Sequence, residues 1–198
     1  MQKIHEITDK KLITDILKTV EYGTLALCHN NRPYSIPLNF ALIDDEIFIH
    51  GSTKGKKIDI IKSNSYASFS VVEPFSLLPS YFSTDDGNAS PATHMYKSVI
   101  IDGHIEFIED YDKKVIALEA LMQKYQKEGG YTPLNDMIYK KIINATVLYK
   151  IVPSSTSAKF YLGQNHNEER FQRISKHLKQ RGTAKDLKTL KLIEEFRA

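Results

Sequence analysis

The chain has 198 residues, of which 41% are hydrophobic, and a formal net charge of +3. This length and composition fit one domain with a real core. The charge is too mild for a nucleic-acid-binding surface, because the basic residues are spread among 24 acidic ones. No apolar run approaches the ~18 residues of a membrane span, and the start MQKIHEITDKK lacks the apolar segment of a secretory signal. We therefore expect a cytoplasmic protein with no membrane or nucleic-acid partner.

The first predicted element is a helix over residues 7–20. Its apolar positions recur at helical spacing and comprise Leu12, Ile13, Ile16, Leu17 and Val20. Thr8 or Asp9 is available as the N-cap, and Gly23 is the predicted end.

Short strands follow. TLALCHN predicts a strand that ends at the turn Asn30–Asn31, and Cys28 is interpreted as a core residue of this strand. PYSIPLNFALI and EIFIHGS flank Asp44–Asp45, which indicates a hairpin. A short helix is expected from Gly55 to Ser63, with Ile58 and Ile61 facing the core. The next strand, YASFSVVEP, is expected to stop at Pro74.

The second half begins with a predicted long loop over residues 75–95, rich in Ser, Pro, Asp and Gly, of the kind that often covers a site. KSVIIDGHIEFIED predicts a long strand with a bulge or bend at Gly103. A helix over 111–127 and a strand in NATVLYKIVPSSTSAKFYL follow. The charged segment 168–197 reads as two helices separated at Gly182.

This element order predicts a mainly β protein with helices. Five or six antiparallel strands at short spacing, without strand–helix alternation, favour a small barrel over a doubly wound sheet. Peripheral helices and a C-terminal helical tail complete the prediction.

The segment GSTKGKK, residues 51–57, is the first candidate site. Small residues expose backbone N–H groups, the hydroxyls of Ser52 and Thr53 add donors, and Lys56 and Lys57 supply charge at a helix start. This combination suits a phosphate monoester. The segment does not match a Walker loop. From these residues alone, a solvated lysine-rich turn is an equal alternative.

His50 lies at the strand end before this loop. It is either a histidine hydrogen-bonded to the backbone or a proton donor facing a bound group. The remaining histidines show no metal-ligand spacing, and a single cysteine cannot form an intrachain disulfide or support a thiolate cluster, so no metal site is expected.

The strand from Tyr34 to Asn39 contains Pro37. A proline inside a strand belongs at a sheet edge, which leaves the neighbouring backbone groups free to contact a planar heterocycle. An ordinary edge strand is the alternative.

The run GTLALCHNNRPYSIPLNFALIDDEIFIHGSTKGKKIDIIKSNSYASFSVVEP resembles the pyridoxamine 5′-phosphate oxidase-like FMN-binding split barrels, most of all their nitroimidazole-resistance (Nim-type) branch. YKSVIIDGHIEFIED, the helix KKVIALEALMQKY and AKFYLGQN extend the resemblance over residues ~20–170. It implies a six-stranded antiparallel split-barrel domain over 1–165, with a helical tail over 166–198 packed on the same domain. It also implies a homodimer with FMN between the subunits.

The resemblance assigns the FMN phosphate to Lys56 and Lys57, and the ribityl side to Ile49 and His50. Asn64 matches an asparagine that closes the helix. The other positions matching cofactor-binding residues are Tyr34, Ile36, Pro37, Leu38, Asn39, Ser52, Thr53, Tyr96, Lys97 and Ser98. The segment 96–98 would contribute from the other subunit. His50 is the candidate catalytic residue.

Three functions follow as hypotheses. The first is an FMN-dependent reductase or oxidase of a small planar substrate, with NAD(P)H as an electron donor to test and the loop 75–95 as a cover that carries Phe75, Tyr81 and Phe82. The second is a flavin- or haem-binding module without flavin turnover, for which His94 or His166 would be tried as a haem ligand. The third is nucleic-acid binding by the basic tail, for which a surface helix is the favoured alternative. The absence of tryptophan and the ending KLIEEFRA argue against the vitamin B6 reaction itself.

Overall fold

The computed structural model describes residues 3–197, and all statements below refer to this part of the chain. It contains eight β-strands and six α-helices. The strands are β1 (Glu6–Ile7), β2 (Gly23–His29), β3 (Arg32–Leu38), β4 (Ala41–Ile43), β5 (Glu46–Gly51), β6 (Tyr66–Leu78), β7 (Thr93–Ile108) and β8 (Val147–Tyr161). The helices are α1 (Lys10–Thr19), α2 (Lys56–Ser63), α3 (Tyr111–Tyr125), α4 (Lys140–Ala145), α5 (Glu168–Arg181) and α6 (Ala184–Glu195).

The strands form a single sheet in the order β3-β2-β6-β7-β8-β5-β4, with β1 paired to β8. The pairs β1–β8, β2–β3, β2–β6, β4–β5 and β5–β8 are antiparallel. The path does not close on itself among the described strands, which agrees with the predicted split barrel. The strand number differs from the predicted six because β1 was missed and one predicted strand is divided into β3 and β4.

The described chain divides into two compact units. The first, called the barrel unit, comprises Asp9–Val71 and Val99–Ser157. The second, called the tail unit, comprises the described residues up to Thr8, Val72–Ser98 and those from Ala158 onward. The long strands β6, β7 and β8 each supply residues to both units.

The core of the barrel unit consists of aliphatic and aromatic side chains. β2 supplies them from alternate positions, as expected when one sheet face is buried, whereas Phe40 lies between β3 and β4 and Ile58 lies on α2. The fully buried members of this core include Leu25, Phe40, Ile47, Ile49, Ile58, Phe69, Ile101 and Tyr149. Phe40 and Phe69 pack edge to face with ring centroids 4.9 Å apart. Gly103 lies within β7, where a Cβ would come 2.2 Å from the carbonyl oxygen of Val152. Close backbone approach therefore explains this glycine.

Both hairpin turns of the barrel unit have the backbone that the sequence indicates. Asn30 and Asn31 have φ of 49° and 58°, and Asp44 and Asp45 have φ of 49° and 65°. These residue types tolerate the left-handed region better than most, and two such residues in succession make a tight antiparallel connection. Register follows from the turns, with His29 opposite Arg32 and Ile43 opposite Glu46.

The predicted boundaries of two elements are wrong. α1 ends at Thr19 and Gly23 begins β2, so the glycine does not end the helix. β6 continues through Pro74 to Leu78, because the proline φ is compatible with an extended chain and only its N–H is lost. The predicted loop 75–95 is accordingly reduced to the segment between β6 and β7, which includes a short 3₁₀ turn, Ser80–Phe82.

The tail unit contains α5 and α6, separated at Gly182 as predicted. Gly182 adopts a left-handed conformation with φ of 61°, which suits a residue without a Cβ. α6 then begins with a capping box in which Thr183 and Asp186 exchange hydrogen bonds. The apolar faces of the two helices are buried through Ile174, Leu178, Leu190 and Ile193.

Candidate functional site

The segment between β5 and α2 forms a loop with free donors. Gly55 has φ of 115°, a conformation that side-chain-bearing residues rarely adopt, and it lets the chain turn directly into α2. No side chain caps this helix. Within the described chain, the amides of Lys56 and Lys57 have no hydrogen-bond acceptor. Such amides at the positive end of a helix form an anion site when a cation accompanies them.

Lys57 is that cation. Its side chain is half-buried, and its Nζ lies 5.5 Å from the centroid of the Tyr149 ring. A Cβ built on Gly51 would come 3.0 Å from the same Nζ, so the glycine gives the lysine its place at the end of β5. Burial lowers the pKa of Lys57 below its ordinary value. An ammonium group held in this way gains from the arrival of an anion.

Lys56 takes a different direction. Its Nζ lies 4.4 Å from the centroid of the Tyr34 ring on β3, and the side chain is exposed. Consecutive residues of a helix are about 100° apart around its axis, since one turn takes 3.6 residues. The two ammonium groups therefore have different neighbours, although the backbone amides of both residues stay in the loop.

The loop hydroxyls lie in front of the helix. Ser52 and Thr53 are both exposed, and Ser52 Oγ accepts a hydrogen bond of 3.2 Å from the amide of Lys54. This turn shapes the loop between the end of β5 and Gly55. Both hydroxyls remain accessible to a bound group.

His50 precedes the loop on β5 and pairs with Leu148 on β8. Adjacent strand residues face opposite sides, so the exposed His50 lies on the face opposite Ile49, whose side chain is fully buried. Ile49 can therefore offer a ligand only its backbone. Partial burial, and secondarily the charge of Lys57, lower the pKa of His50 below 6.5. A lowered pKa favours the neutral imidazole, which has one N–H donor and one acceptor nitrogen.

Tyr149 is a residue of this region that the sequence did not single out. It lies opposite Ile49 in β8 and is fully buried, and its hydroxyl has no hydrogen-bond partner among the described residues. Burial raises the pKa of this hydroxyl well above its ordinary value. In the sequence, a tyrosine within a strand cannot be distinguished from an ordinary core residue. The structure distinguishes Tyr149 by its position beneath Lys57.

β3 lies at the end of the sheet order, as its prolines indicate. It pairs with β2 along its full length, with Pro37 opposite Thr24 and Leu38 opposite Gly23. Tyr34, Ile36 and Leu38 are half-buried on one face, whereas Pro37 is exposed. The other edge of β3 pairs with no strand among the described residues. Asn39 follows the strand and donates from its amide to the carbonyl oxygen of Glu21 at 3.2 Å.

The end of α2 is fixed to β2. Asn64 caps the helix, donates from Nδ2 to the carbonyl oxygen of Cys28 at 2.9 Å and accepts from the amide of Tyr66 at 3.1 Å. The prediction that Asn64 closes this helix is confirmed. Cys28 itself is exposed, so its interpretation as a core residue is wrong. It shares the outward face of β2 with Thr24 and Ala26.

The remaining predicted positions, 96–98, belong to the tail unit. The Tyr96 ring stacks on that of Tyr161 with centroids 6.0 Å apart, and Lys97 Nζ lies 4.9 Å from the centroid of Phe160. Ser98 Oγ donates to the carbonyl oxygen of Lys159 at 3.5 Å.

The aromatic residues of the predicted cover are also in this unit. Phe75 and Phe82 are buried and only Tyr81 is exposed, so the expectation that all three cover a substrate is wrong. Phe75 packs inward as part of β6, and Phe82 stacks on His177 with centroids 4.7 Å apart.

Neither a metal cluster nor a membrane-spanning helix is present among residues 3–197. No group of three or more His, Cys, Asp or Glu side chains could hold a metal ion. None of the helices between residues 3 and 197 combines the length and apolar character needed to cross a membrane.

Known structures share this fold. A proposed 5-nitroimidazole antibiotic resistance protein from Bacteroides thetaiotaomicron has 22% identity and a TM-score of 0.63, with 78% of this chain and 85% of that chain covered. The FAD and haem binding protein from Mycobacterium smegmatis has 22% identity and a TM-score of 0.64, covering 79% and 73%. A flavocytochrome from Azotobacter vinelandii has 18% identity and a TM-score of 0.64, covering 84% and 74%.

No curated protein matches the chain. The family model described as pyridoxamine 5′-phosphate oxidase, however, matches residues 9–160, which include the whole barrel unit. Together with the open antiparallel sheet, this match places the chain in the pyridoxamine 5′-phosphate oxidase family of split barrels.

Proposed function

We propose that the protein is a flavoprotein that binds FMN through the loop 51–57. The observation that carries the proposal is the uncapped start of α2, where the amides of Lys56 and Lys57 have no acceptor among the described residues and the half-buried Lys57 directs its ammonium toward Gly51 at the end of β5. A phosphate dianion has three terminal oxygens and would accept from several such donors at once, more than a chloride or a carboxylate can. The family assignment and the FAD and haem binding protein from Mycobacterium smegmatis support a flavin cofactor, and the choice of FMN rests on the loop 51–57.

Different residues of the chain would then bind different parts of the cofactor. Lys57 and the first amides of α2 would neutralise and position the phosphate, with Ser52 and Thr53 available as further donors. The free edge of β3, from Tyr34 to Asn39, would face the flavin ring with backbone groups. His50, at the end of β5, would face the cofactor with one donor and one acceptor nitrogen and is the candidate proton donor.

The cofactor, once bound, supplies electron transfer, whereas the protein supplies orientation and electrostatics. We propose an oxidoreductase of a small planar substrate, Nim-like in type, with NAD(P)H as the donor to test first. We further propose a homodimer with a site at the subunit interface, to which the partner's segment 96–98 would contribute.

The absorption spectrum of the purified protein tests the proposal. We expect a yellow protein that releases FMN on denaturation. A colourless protein that cannot be reconstituted with FMN would contradict it. Anaerobic titration of the reconstituted protein with NADH and NADPH then separates an oxidoreductase, in which the flavin absorbance bleaches, from a module that binds flavin without turnover.

A further inference from the structure

A polar cavity of about 430 Å³ lies within the tail unit, between the start of α5 and the segment that follows β6. This volume is within the range of small-molecule sites. Its lining residues are Ser83, Thr84, Asp85, Asn165, His166, Asn167, Glu169, Arg170 and Arg173. None of them belongs to the proposed flavin site, so a ligand bound here would use residues different from those that hold the cofactor.

His166 is a buried polar side chain at the wall of this cavity. It is 8% exposed, and its ring nitrogens form no hydrogen bond with a described residue, whereas its backbone carbonyl accepts from Arg197 at 3.0 Å. Gly163 makes room for the ring, because a Cβ on this glycine, whose φ is 80°, would come 2.6 Å from His166 Nδ1. Buried polar groups are normally hydrogen-bonded, so an unpaired imidazole that lines a cavity indicates a ligand with polar atoms.

Arg170 provides a positive charge beside this imidazole. Its guanidinium donates to Ser83 Oγ at 3.2 Å and to the carbonyl oxygen of Pro91 at 3.5 Å, both of them uncharged acceptors. No carboxylate in the described part of the chain forms an ion pair with it. Burial and then the charge of Arg170 lower the pKa of His166, which shows that the guanidinium lies near the ring. Such a planar guanidinium binds a carboxylate with two parallel hydrogen bonds.

The two acidic lining residues leave the charge of Arg170 available. Arg173 Nη2 donates to Asp85 and, at 3.3 Å, to the carbonyl oxygen of Tyr81, so Asp85 is neutralised by Arg173. Glu169 is exposed and forms no ion pair with another described residue. The cavity therefore offers one cation to a carboxylate and one exposed anion to an ammonium group.

We infer that this cavity binds the carboxylate of a small polar organic acid. The carboxylate would lie on Arg170 and beside the imidazole of His166. Further polar atoms of the ligand would bind the hydroxyl and amide side chains of the lining, which belong to Ser83, Thr84, Asn165 and Asn167. Simple organic acids and free amino acids share this carboxylate. Glu169 would pair only with the ammonium group of an amino acid, so it separates the two sources.

Calorimetric titration of the full-length protein with three related probes tests the inference. L-glutamine carries a carboxylate and an ammonium group, 4-carbamoylbutanoate carries only the carboxylate, and pentanediamide carries neither. We expect a carboxylate probe to bind and pentanediamide not to bind. Arg170→Gln should weaken the binding at least about tenfold, which corresponds to about 1.4 kcal/mol. Lys176→Gln is the matched control, because Lys176 is an exposed cation of α5 that does not line the cavity.

Asn165→Asp is a second variant, which adds a negative charge to the lining without removing a hydrogen bond. Asn165 is exposed, and its side chain forms no hydrogen bond with a described residue. We expect this variant to weaken binding of the carboxylate about threefold, the scale of one exposed charge interaction. Asn135→Asp, at an exposed asparagine outside the cavity, should leave the affinity unchanged. This comparison decides the inference even if Arg170→Gln does not fold.

The probes also separate the two sources of the carboxylate. Tighter binding of L-glutamine, reduced in Glu169→Gln, supports a free amino acid, whereas binding of 4-carbamoylbutanoate that is at least as tight supports a simple organic acid. The inference is wrong if no probe binds up to about 10 mM, if pentanediamide binds as well as the carboxylates, or if the folded cavity variants bind like the unchanged protein. Failure of flavin binding leaves this test intact, because the lining and the loop 51–57 share no residue.

Discussion

At the scale of single residues, Lys57 and Tyr149 determine the character of the site. The lysine is half-buried above a tyrosine that is fully buried, and neither side chain has an anionic partner among the described residues. A buried hydroxyl without a hydrogen bond costs roughly 1–3 kcal/mol. The unpaired Tyr149 hydroxyl therefore lowers the free energy of unfolding of the unliganded protein.

Tyr149→Phe tests this cost. The substitution removes only the unpaired hydroxyl and keeps the ring beneath Lys57, so we expect the free energy of unfolding of the cofactor-free protein to rise by about 1 kcal/mol. Chemical denaturation measures it. Tyr131→Phe is a contrasting control, because Tyr131 Oη donates to Glu119 at 2.7 Å and its loss should not stabilise the protein. Destabilisation by Tyr149→Phe would show that the hydroxyl is in fact hydrogen-bonded.

At the scale of elements, the tail helices depend on a buried polar network. Asp186 is 1% exposed and accepts hydrogen bonds from Arg181 at 2.6 and 2.8 Å, from Ser76 at 2.6 Å and from Thr183 at 2.7 Å. Because these donors converge on one carboxylate, they hold its pKa well below the ordinary range. The network joins the end of α5, the start of α6 and β6 within the tail unit.

Asp186→Ala should therefore be strongly destabilising. It leaves the guanidinium and two hydroxyls without their acceptor, and breaking a buried pair costs about 3–5 kcal/mol. Thermal or chemical unfolding measures the loss. Lys191→Gln is the control, because its 3.9 Å pair with Glu195 is exposed and contributes at most about 0.5 kcal/mol. A loss below 1 kcal/mol in Asp186→Ala would contradict the role of the network.

A buried histidine in the same unit predicts a pH dependence. Burial, and then the charges of Arg170, Arg197 and His5, lower the pKa of His166 to about 4. The unfolded chain therefore binds a proton near pH 6.5 that the folded chain does not bind until about pH 4. The contribution of the neutral His166 to the free energy of unfolding should be fully present above pH 6.5 and should decrease as the pH falls toward 4.

His166→Gln tests this explanation. The melting temperature of the unchanged protein should fall between pH 6.5 and pH 4, and that of the variant should fall less. The depressed pKa of Asp186 acts in a lower range, because an aspartate protonates near pH 3.8 in the unfolded chain, so the two effects are separable. Equal pH profiles in both proteins would show that His166 does not titrate on unfolding.

At the same scale, the sequence correctly predicted turns and helix ends where the residue type itself limits the backbone conformation. The turns at Asn30–Asn31 and Asp44–Asp45 and the break at Gly182 were predictable because few residues adopt φ > 0. β6 was cut too early at Pro74, since a proline excludes one hydrogen bond but not an extended chain. Which face of β2 carries Cys28 depends on register with its neighbours, and a single strand does not reveal that.

At the scale of the whole molecule, the family and the position of the loop were predictable, whereas the direction of each lysine was not. The order of strands, loop and helix indicated the split barrel, and the family match to residues 9–160 confirms the family. That Lys57 lies on Tyr149 while Lys56 lies on Tyr34 depends on how α2 is rotated against the sheet. The sequence shows two adjacent cations, and the fold separates them.

Titration of the cofactor-free protein with FMN and with riboflavin, which lacks the phosphate, tests the central claim most directly. We expect FMN to bind more tightly than riboflavin, and Lys57→Ala to weaken FMN binding by about 1.5–3 kcal/mol, the scale of a charge-assisted hydrogen bond, without affecting riboflavin. Lys62→Ala, an exposed cation on the same helix, should change neither affinity. If Lys57→Ala leaves FMN affinity unchanged, the phosphate does not bind at the loop 51–57.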